Sequence, residues 1–356
     1  MFPRSLRTLV TAALISAFAL GAAPANAEPV VFGTVGAFDV NFAPMFVATE
    51  LGYFAKEHIE LQVVNFGGAA TLLPQIASKR VTVGFPNPEP IIFSHDPAKP
   101  AVPVTLFYNV LRKDVWEFAV PDASPIRTLR DLKGKRIGIF GLNSGNIPIT
   151  KAILAGAGLQ ERDYELVTVG LGPSAILALQ SGKVDALNLF EMFDDQLAVA
   201  GTTVRLLPVP KRYEGLVSNG FAANNDMLRD NPDLLVRFAR AIAKGTIACQ
   251  ANFPGCMRAM WKLSPSQRPP NVSEDVALKQ SMRINYRETI GVAAAPRGHY
   301  GEYDPAMWRA YVAALHDGGS LSTADIPVRS LFTNDLIKQI NAFDYDAVVR
   351  DAKRLP

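Results

Sequence analysis

A chain of 356 residues, 49% hydrophobic and 19% charged, is long enough for two domains that each bury their own core. Its 36 basic residues nearly balance 33 acidic ones, and a net charge of +3 gives neither nucleic acid nor an anionic membrane a reason to bind. Four scattered histidines and two cysteines show no metal-ligand spacing, and the chain has neither a G-x-S-x-G elbow nor a phosphate loop. The reading therefore assigns no catalytic residue, no metal and no cofactor.

The first 27 residues read as a secretory leader. Arg4 and Arg7 form the basic end, residues 9–20 form an apolar stretch too short to span a bilayer, and Ala25-Asn26-Ala27 is an A-x-A cleavage site. A cut after Ala27 lowers the net charge to +1, and no cysteine near the cut suggests a lipid anchor. A periplasmic protein is expected.

Beyond the leader, strands alternate with single helices. Strand 29–35, loop 36–41 and helix 44–51 are followed by strand 59–65, loop 66–68, helix 69–78, strand 81–84, loop 85–90 and strand 102–108. Residues 114–125 read as a crossing segment. The same grammar then returns in strand 135–140, loop 141–146, helix 148–156, strand 165–169, loop 170–173, helix 174–181 and strand 183–187. LPQIASKRV at 73–81 runs parallel to ILALQSGKV at 176–184, an internal echo that argues for two similar lobes. A return crossing is expected near 212–221. The fold class is α/β, two doubly wound lobes on a two-segment hinge, with lobe 1 at 28–117 and 216–356 and lobe 2 at 118–215. A single large sheet is the alternative.

From 231 onward the pattern is helical. Leu234, Leu235, Phe238, Ile242 and Ile247 have the spacing of one buried helix face. Helices at 273–286, 305–315 and 334–342 follow, and this end is assigned packing rather than chemistry. Cys249 and Cys256 flank a turn; they are a disulfide candidate in an oxidising compartment, or else a pair of buried thiols.

In parallel sheets, ligands sit beyond the carboxyl ends of the strands, where helix N-termini present free amide N–H groups. The loops at those ends supply the candidates. Ser144 and Asn146 either contact a ligand or only cap their helix, and Ser174 has the same two readings. In the first lobe Asp39, Asn41 and Phe42 precede a helix, Gly67 and Gly68 allow close backbone approach, and Asn87 and Tyr108 stand at strand ends. Phe38, Phe66, Phe85, Trp116 and Phe190 add rings at the same mouths. Glu191 follows an apolar strand. It either accepts hydrogen bonds from a ligand N–H or pairs across the hinge.

Five stretches carry a family resemblance: PMFVATELGYF at 44–54, LRDLKGKRI at 129–137, ALQSGKVDA at 178–186, FTNDLI at 332–337 and NAFD at 341–344. They resemble type II periplasmic solute-binding proteins of ABC importers, in the group containing sulfonate-, taurine- and nitrate-binding proteins and the thiamine-pyrimidine (NMT/THI-like) proteins. His58 and Thr82 depart from the family pattern, which often has Gly and Asp there. The resemblance implies a monomer that captures a small-molecule solute by hinge closure and delivers it to a membrane permease. Enzymes on this fold resemble pyrimidine synthases with a Cys-rich motif or sulfinate hydrolases with an N-terminal-lobe Cys nucleophile. Cys249 and Cys256 match neither, so no enzyme is expected. The candidate loops lack Lys and Arg until Arg112 but hold Asp39, Glu89 and Glu191 among rings. That favours a nitrogen-containing heteroaromatic such as a pyrimidine precursor, with an organic sulfonate, taurine, nitrate or aromatic acid as the alternative.

Overall fold

The computed structural model describes residues 27–36, 38, 42–113 and 116–356, so the candidates Asp39 and Asn41, and the leader up to residue 26, lie outside the described residues. The described chain first lays down β1 (Glu28–Val35), β2 (Ile59–Phe66), β3 (Val83–Phe85) and β4 (Val104–Asn109). It then crosses into a second sheet of β5 (Trp116–Pro121), β6 (Lys135–Ile139), β7 (Tyr164–Thr168), β8 (Ala186–Phe190) and β9 (Val204–Leu206), and returns with β10 (Gly220–Asn224).

The sheets have the same plan, β2-β1-β3-β10-β4 and β7-β6-β8-β5-β9. Each is mixed rather than parallel throughout. β1 pairs in parallel with β2 and β3, and β6 with β7 and β8. The antiparallel members are β10 and β5, the two strands that follow a crossing. Strand–helix alternation dictates only the parallel pairs, because a strand arriving from the other lobe is free to enter from the opposite end. β5 already begins at Trp116, two residues before the lobe boundary placed at 118.

Helices cover both faces of each sheet. In the first lobe, Phe32 at the centre of β1 lies edge-on to Phe42 at 5.5 Å and Phe221 at 5.7 Å, and stacks on Phe238 at 5.9 Å. Phe238 belongs to helix Pro232–Ala251, whose face of Leu234, Leu235, Phe238, Ile242 and Ile247 is buried as its spacing requires. Asn231 caps that helix by accepting from Leu234 N at 3.4 Å. Glu57 pins the helix from outside, pairing with Arg240 and Lys244 at 2.9 Å each. Cys249 and Cys256 are joined as a disulfide across the turn into helix Phe253–Leu263, with Cα atoms 4.9 Å apart.

His58 and Thr82 both have structural roles. His58 holds φ at 54°, the left-handed region in which glycine is unstrained. Thr82 Oγ1 accepts from Val31 N at 3.2 Å and ties its loop to β1.

Candidate ligand-binding cleft

The carboxyl ends of β1 and β6 face a common cleft. A cavity of about 70 Å³ lies there, walled by both lobes. Lobe 1 contributes Thr34 and Val35 from the end of β1, Phe42 before helix Ala43–Glu50, Gly68 and Ala69 at the start of helix Ala69–Ala77, and Phe85 and Asn87 after β3. The second sheet and its loops contribute Trp116 at the start of β5, together with Phe140, Ser144, Leu171 and Phe190. Leu111, Asn219 and Glu288 complete the wall.

The lobes are shut tightly. A Cβ on Gly145 would lie 2.6 Å from Asn87 Cβ, and one on Gly68 would lie 2.9 Å from the Asn143 carbonyl oxygen. Glycine is required where one lobe's backbone meets the other. A cavity of roughly 150 Å³ binds benzene, and the space of about 70 Å³ here is smaller, so a ring needs more room than the lobes leave in this form.

Among the described lining residues there is no Lys or Arg. Asn87 Nδ2 donates to Asn219 Oδ1 at 3.1 Å, fixing two amides in the wall. Thr34 is 1% exposed and its hydroxyl oxygen has no partner. A buried hydroxyl without a partner beside a cavity calls for an explanation in structural or functional terms.

Behind the cavity sits an excess of acid. Glu191 opens helix Glu191–Val199 and is 3% exposed, with neither carboxylate oxygen hydrogen-bonded. Burial, then the charges of Glu288 and Glu117, push its carboxyl well above the ordinary range against the opposing pull of Arg287. Asp194, one turn on, is pushed up to about 9 by burial and by its hydrogen bond to Glu117. Arg287 is the counter-ion: it reaches Glu117 at 2.8 Å and Asp195 at 3.0 Å and donates to the Glu191 carbonyl oxygen. Arg287 and Glu288 lie in a π-helical turn, Tyr286–Val292, that extends helix Glu274–Asn285. Such wide turns often accompany functional sites.

The structure separates the candidates. Phe42, Gly68, Asn87 and Ser144 line the cavity, whereas Gly67 does not, and Tyr108 lines a neighbouring chamber. Asn146 stands at the N-cap of helix Ile147–Gly156 without capping it through its side chain. Its oxygen accepts from Ser144 Oγ at 2.5 Å, and its amide donates to Thr150 Oγ1 at 3.2 Å, so the buried network holds the loop instead. Ser174 is not a cap either, because Gly172 takes that position and the serine hydroxyl donates to Val169 O at 2.7 Å. Glu191 does not line the cavity, whereas Glu288, whose charge acts on it, does.

Sequence reasoning did not single out Thr34, Asn219 and Glu288, which also line the cavity, the last from the helical end that it assigned to packing. A buried strand position and a mid-helix glutamate give no local signal. Only the three-dimensional convergence reveals them.

The sequence profile described as "NMT1/THI5 like" matches residues 39–253. The chain is 26% identical over 326 residues to the riboflavin-binding protein RibY of Chloroflexus aurantiacus, covering 89% of each. It is 25% identical over 240 residues to a 4-amino-5-hydroxymethyl-2-methylpyrimidine phosphate synthase of Uromyces fabae, covering 64% of this chain and 68% of that one. The alkanesulfonate-binding protein SsuA of Xanthomonas axonopodis pv. citri, solved with MOPS bound, superposes with a TM-score of 0.62 at 18% identity, covering 88% of this chain and 99% of SsuA. That likeness extends the shared architecture past the profile, through both lobes and the closing helices. With two lobes of one plan meeting at a ring-walled cleft, and a profile match over most of its length, the chain belongs to the NMT1/THI5-like family and has the periplasmic-binding-protein fold.

Proposed function

We propose that this chain is the periplasmic capture component of an ABC importer and binds a flat, nitrogen-bearing organic solute between its lobes without chemically changing it. The leader at 1–27 would export it, and lobe 1 (28–117 and 216–356) would close on lobe 2 (118–215) as a monomer before docking on a membrane permease.

The composition of the cavity wall carries the reading. Phe42, Phe85, Trp116, Phe140 and Phe190 offer faces for a planar ring, while Glu288 offers an acceptor and no described lining residue offers a cation. A sulfonate or nitrate placed there would meet Glu288, and amide N–H groups would have to outweigh it. A ring N–H or amino group gains from the same arrangement. The names of RibY and of the pyrimidine phosphate synthase both carry flat nitrogen heterocycles, in keeping with this class. Against catalysis, both cysteines are bonded and no free cysteine is found among the described residues.

A thermal-shift panel on protein unfolded and refolded to strip any guest tests the reading. Aminopyrimidines and riboflavin are set against taurine, alkanesulfonates, nitrate and aromatic acids. A heterocycle at 100 times its Kd should stabilise by about 2.7 kcal/mol, and Glu288→Gln should weaken an amine-bearing hit about tenfold, the loss of one charge-assisted hydrogen bond. Stabilisation by sulfonate or nitrate alone overturns the ligand class. Product beyond one equivalent of protein overturns the receptor.

A further inference from the structure

We propose that bound protons hold the two lobes shut, at the junction where helix Glu191–Val199 meets the π-helical turn, and that their release as the pH rises parts the lobes. The device goes beyond the capture role above and is independent of which solute the cleft takes.

The junction joins the two sheets. Helix Glu191–Val199 packs on β5, β8 and β9 of the second sheet. On the other side, helix Glu274–Asn285 packs on helix Phe253–Leu263 and the π-helical turn on helix Pro232–Ala251, and both of those helices belong to the core around β1. Arg287 crosses the seam. Its guanidinium lies 2.8 Å from Glu117, 3.0 Å from Asp195 and 3.8 Å from Asp194, and it donates to the Glu191 carbonyl oxygen. Neighbours in sequence tie this seam to the cleft. Trp116, Phe190 and Glu288 line the cavity, while Glu117, Glu191 and Arg287 beside them form the cluster. Moving Glu288 away from the rings of Trp116 and Phe190 therefore draws Arg287 away from Glu117 and Glu191.

The charges at the seam do not balance. Glu117 comes from β5, Glu191, Asp194 and Asp195 from one helix, and Glu288 from the π-helical turn. Among the described residues, Arg287 and the exposed Arg283, 3.7 Å from Asp195, stand against them. β8 brings no charged side chain, and Arg205 of β9 is taken up by Asp122 and the carbonyl oxygens of Ser124 and Ile126. Glu191 is buried with neither oxygen hydrogen-bonded, and Asp194 Oδ2 is likewise buried without a hydrogen bond. Carboxyls this close and this dry are tolerated when some of them carry a proton. Burial, then the hydrogen bond to Glu117, raises the Asp194 carboxyl to about 9. Once the seam opens, water reaches the same groups and they ionise in the ordinary range near about 4. The shut form thus binds more protons than the parted one, and acid favours it. The hold that Asp194 exerts is complete below about pH 4 and is lost as the pH climbs toward 9. A ring needs more room than the shut form leaves, so the device makes entry to the cleft depend on pH.

Small-angle X-ray scattering on the refolded, guest-free protein reads the lobes directly, from about pH 4 to about pH 9, the window between the ordinary and the raised carboxyl. The radius of gyration should grow reversibly across that window, with far-UV circular dichroism and monomer mass unchanged. Asp194→Asn and Glu191→Gln each replace a carboxyl with an amide that cannot ionise, and each should flatten the profile toward its low-pH value; either serves if the other does not fold. Asp346→Asn, in an exposed pair with Arg297, should leave the profile as in the wild type. A radius constant across the window would overturn the switch, as would growth that persists in both Asp194→Asn and Glu191→Gln or a profile that Asp346→Asn flattens equally. Growth accompanied by loss of circular dichroism is unfolding rather than parting and would also overturn it. No solute enters the experiment, so a negative result leaves the capture reading standing.

Discussion

Gly145 and Asn87 meet across the cleft with no space for a methyl group between them: a Cβ on Gly145 falls 2.6 Å from Asn87 Cβ and 2.8 Å from its Oδ1. Gly145 has ordinary φ, so an alanine there strains nothing within its own lobe. Gly145→Ala should therefore hold the lobes apart. Overpacking of this kind costs about 1–3 kcal/mol, and the contact belongs to the shut, guest-free form, so the ligand-free melting temperature should fall by a few degrees while a complex whose lobes have parted around a ring is affected less. Calorimetric Kd values beside unliganded melts check this. At this scale the sequence was half legible. Gly68, Asn87 and Ser144 could be placed because polar and glycine-rich loops at strand ends have few other uses. Thr34 could not, since an inward strand position is ordinarily filled by an apolar side chain and one threonine does not break that pattern. Asn146 sits in the right loop, yet its amide is consumed by Thr150 and Asn188, a competition invisible before folding.

Among the elements, the contact of helix Glu191–Val199 with the π-helical turn is electrostatically unusual. Glu117, Glu191, Asp194, Asp195 and Glu288 gather around Arg287, with Arg283 3.7 Å from Asp195. Arg287 cannot neutralise them all, so protons must. Asp194, raised from 3.8 to about 9, keeps a proton when folded that the unfolded chain has released. Its contribution to stability is complete below about pH 4 and is lost as the pH climbs toward 9. Asp194→Asn removes the titration and should raise the melting temperature at pH 8 by a few degrees, each kcal/mol being worth about 2–4 °C in a domain of this size. The gain should shrink toward pH 4. Melts across that range, wild type against variant, check the sign. The elements themselves were mostly readable, because helix faces such as Leu234–Leu235–Phe238–Ile242 announce their burial by spacing. The antiparallel entries of β5 and β10 and the π-helical turn were not. Direction and helix register depend on what the chain meets on arriving, and local pattern does not record that.

For the whole molecule, the repeated strand order of the sheets is the echo heard between 73–81 and 176–184, so the two-lobed plan was the most legible feature of the chain. Closure of those lobes on a flat nitrogen-bearing solute is the central claim. Trp116 reports on it directly: it lines the cavity and packs edge-on to Phe190 at 5.5 Å, whereas Trp261 and Trp308 are buried and do not line it. Tryptophan fluorescence of the refolded, guest-free protein should therefore change saturably at one equivalent of a nitrogen heterocycle, and Trp116→Phe should lose most of that signal. A titration in which heterocycles leave the emission unmoved while an alkanesulfonate or nitrate saturates it, or in which the response survives in Trp116→Phe, would contradict the account.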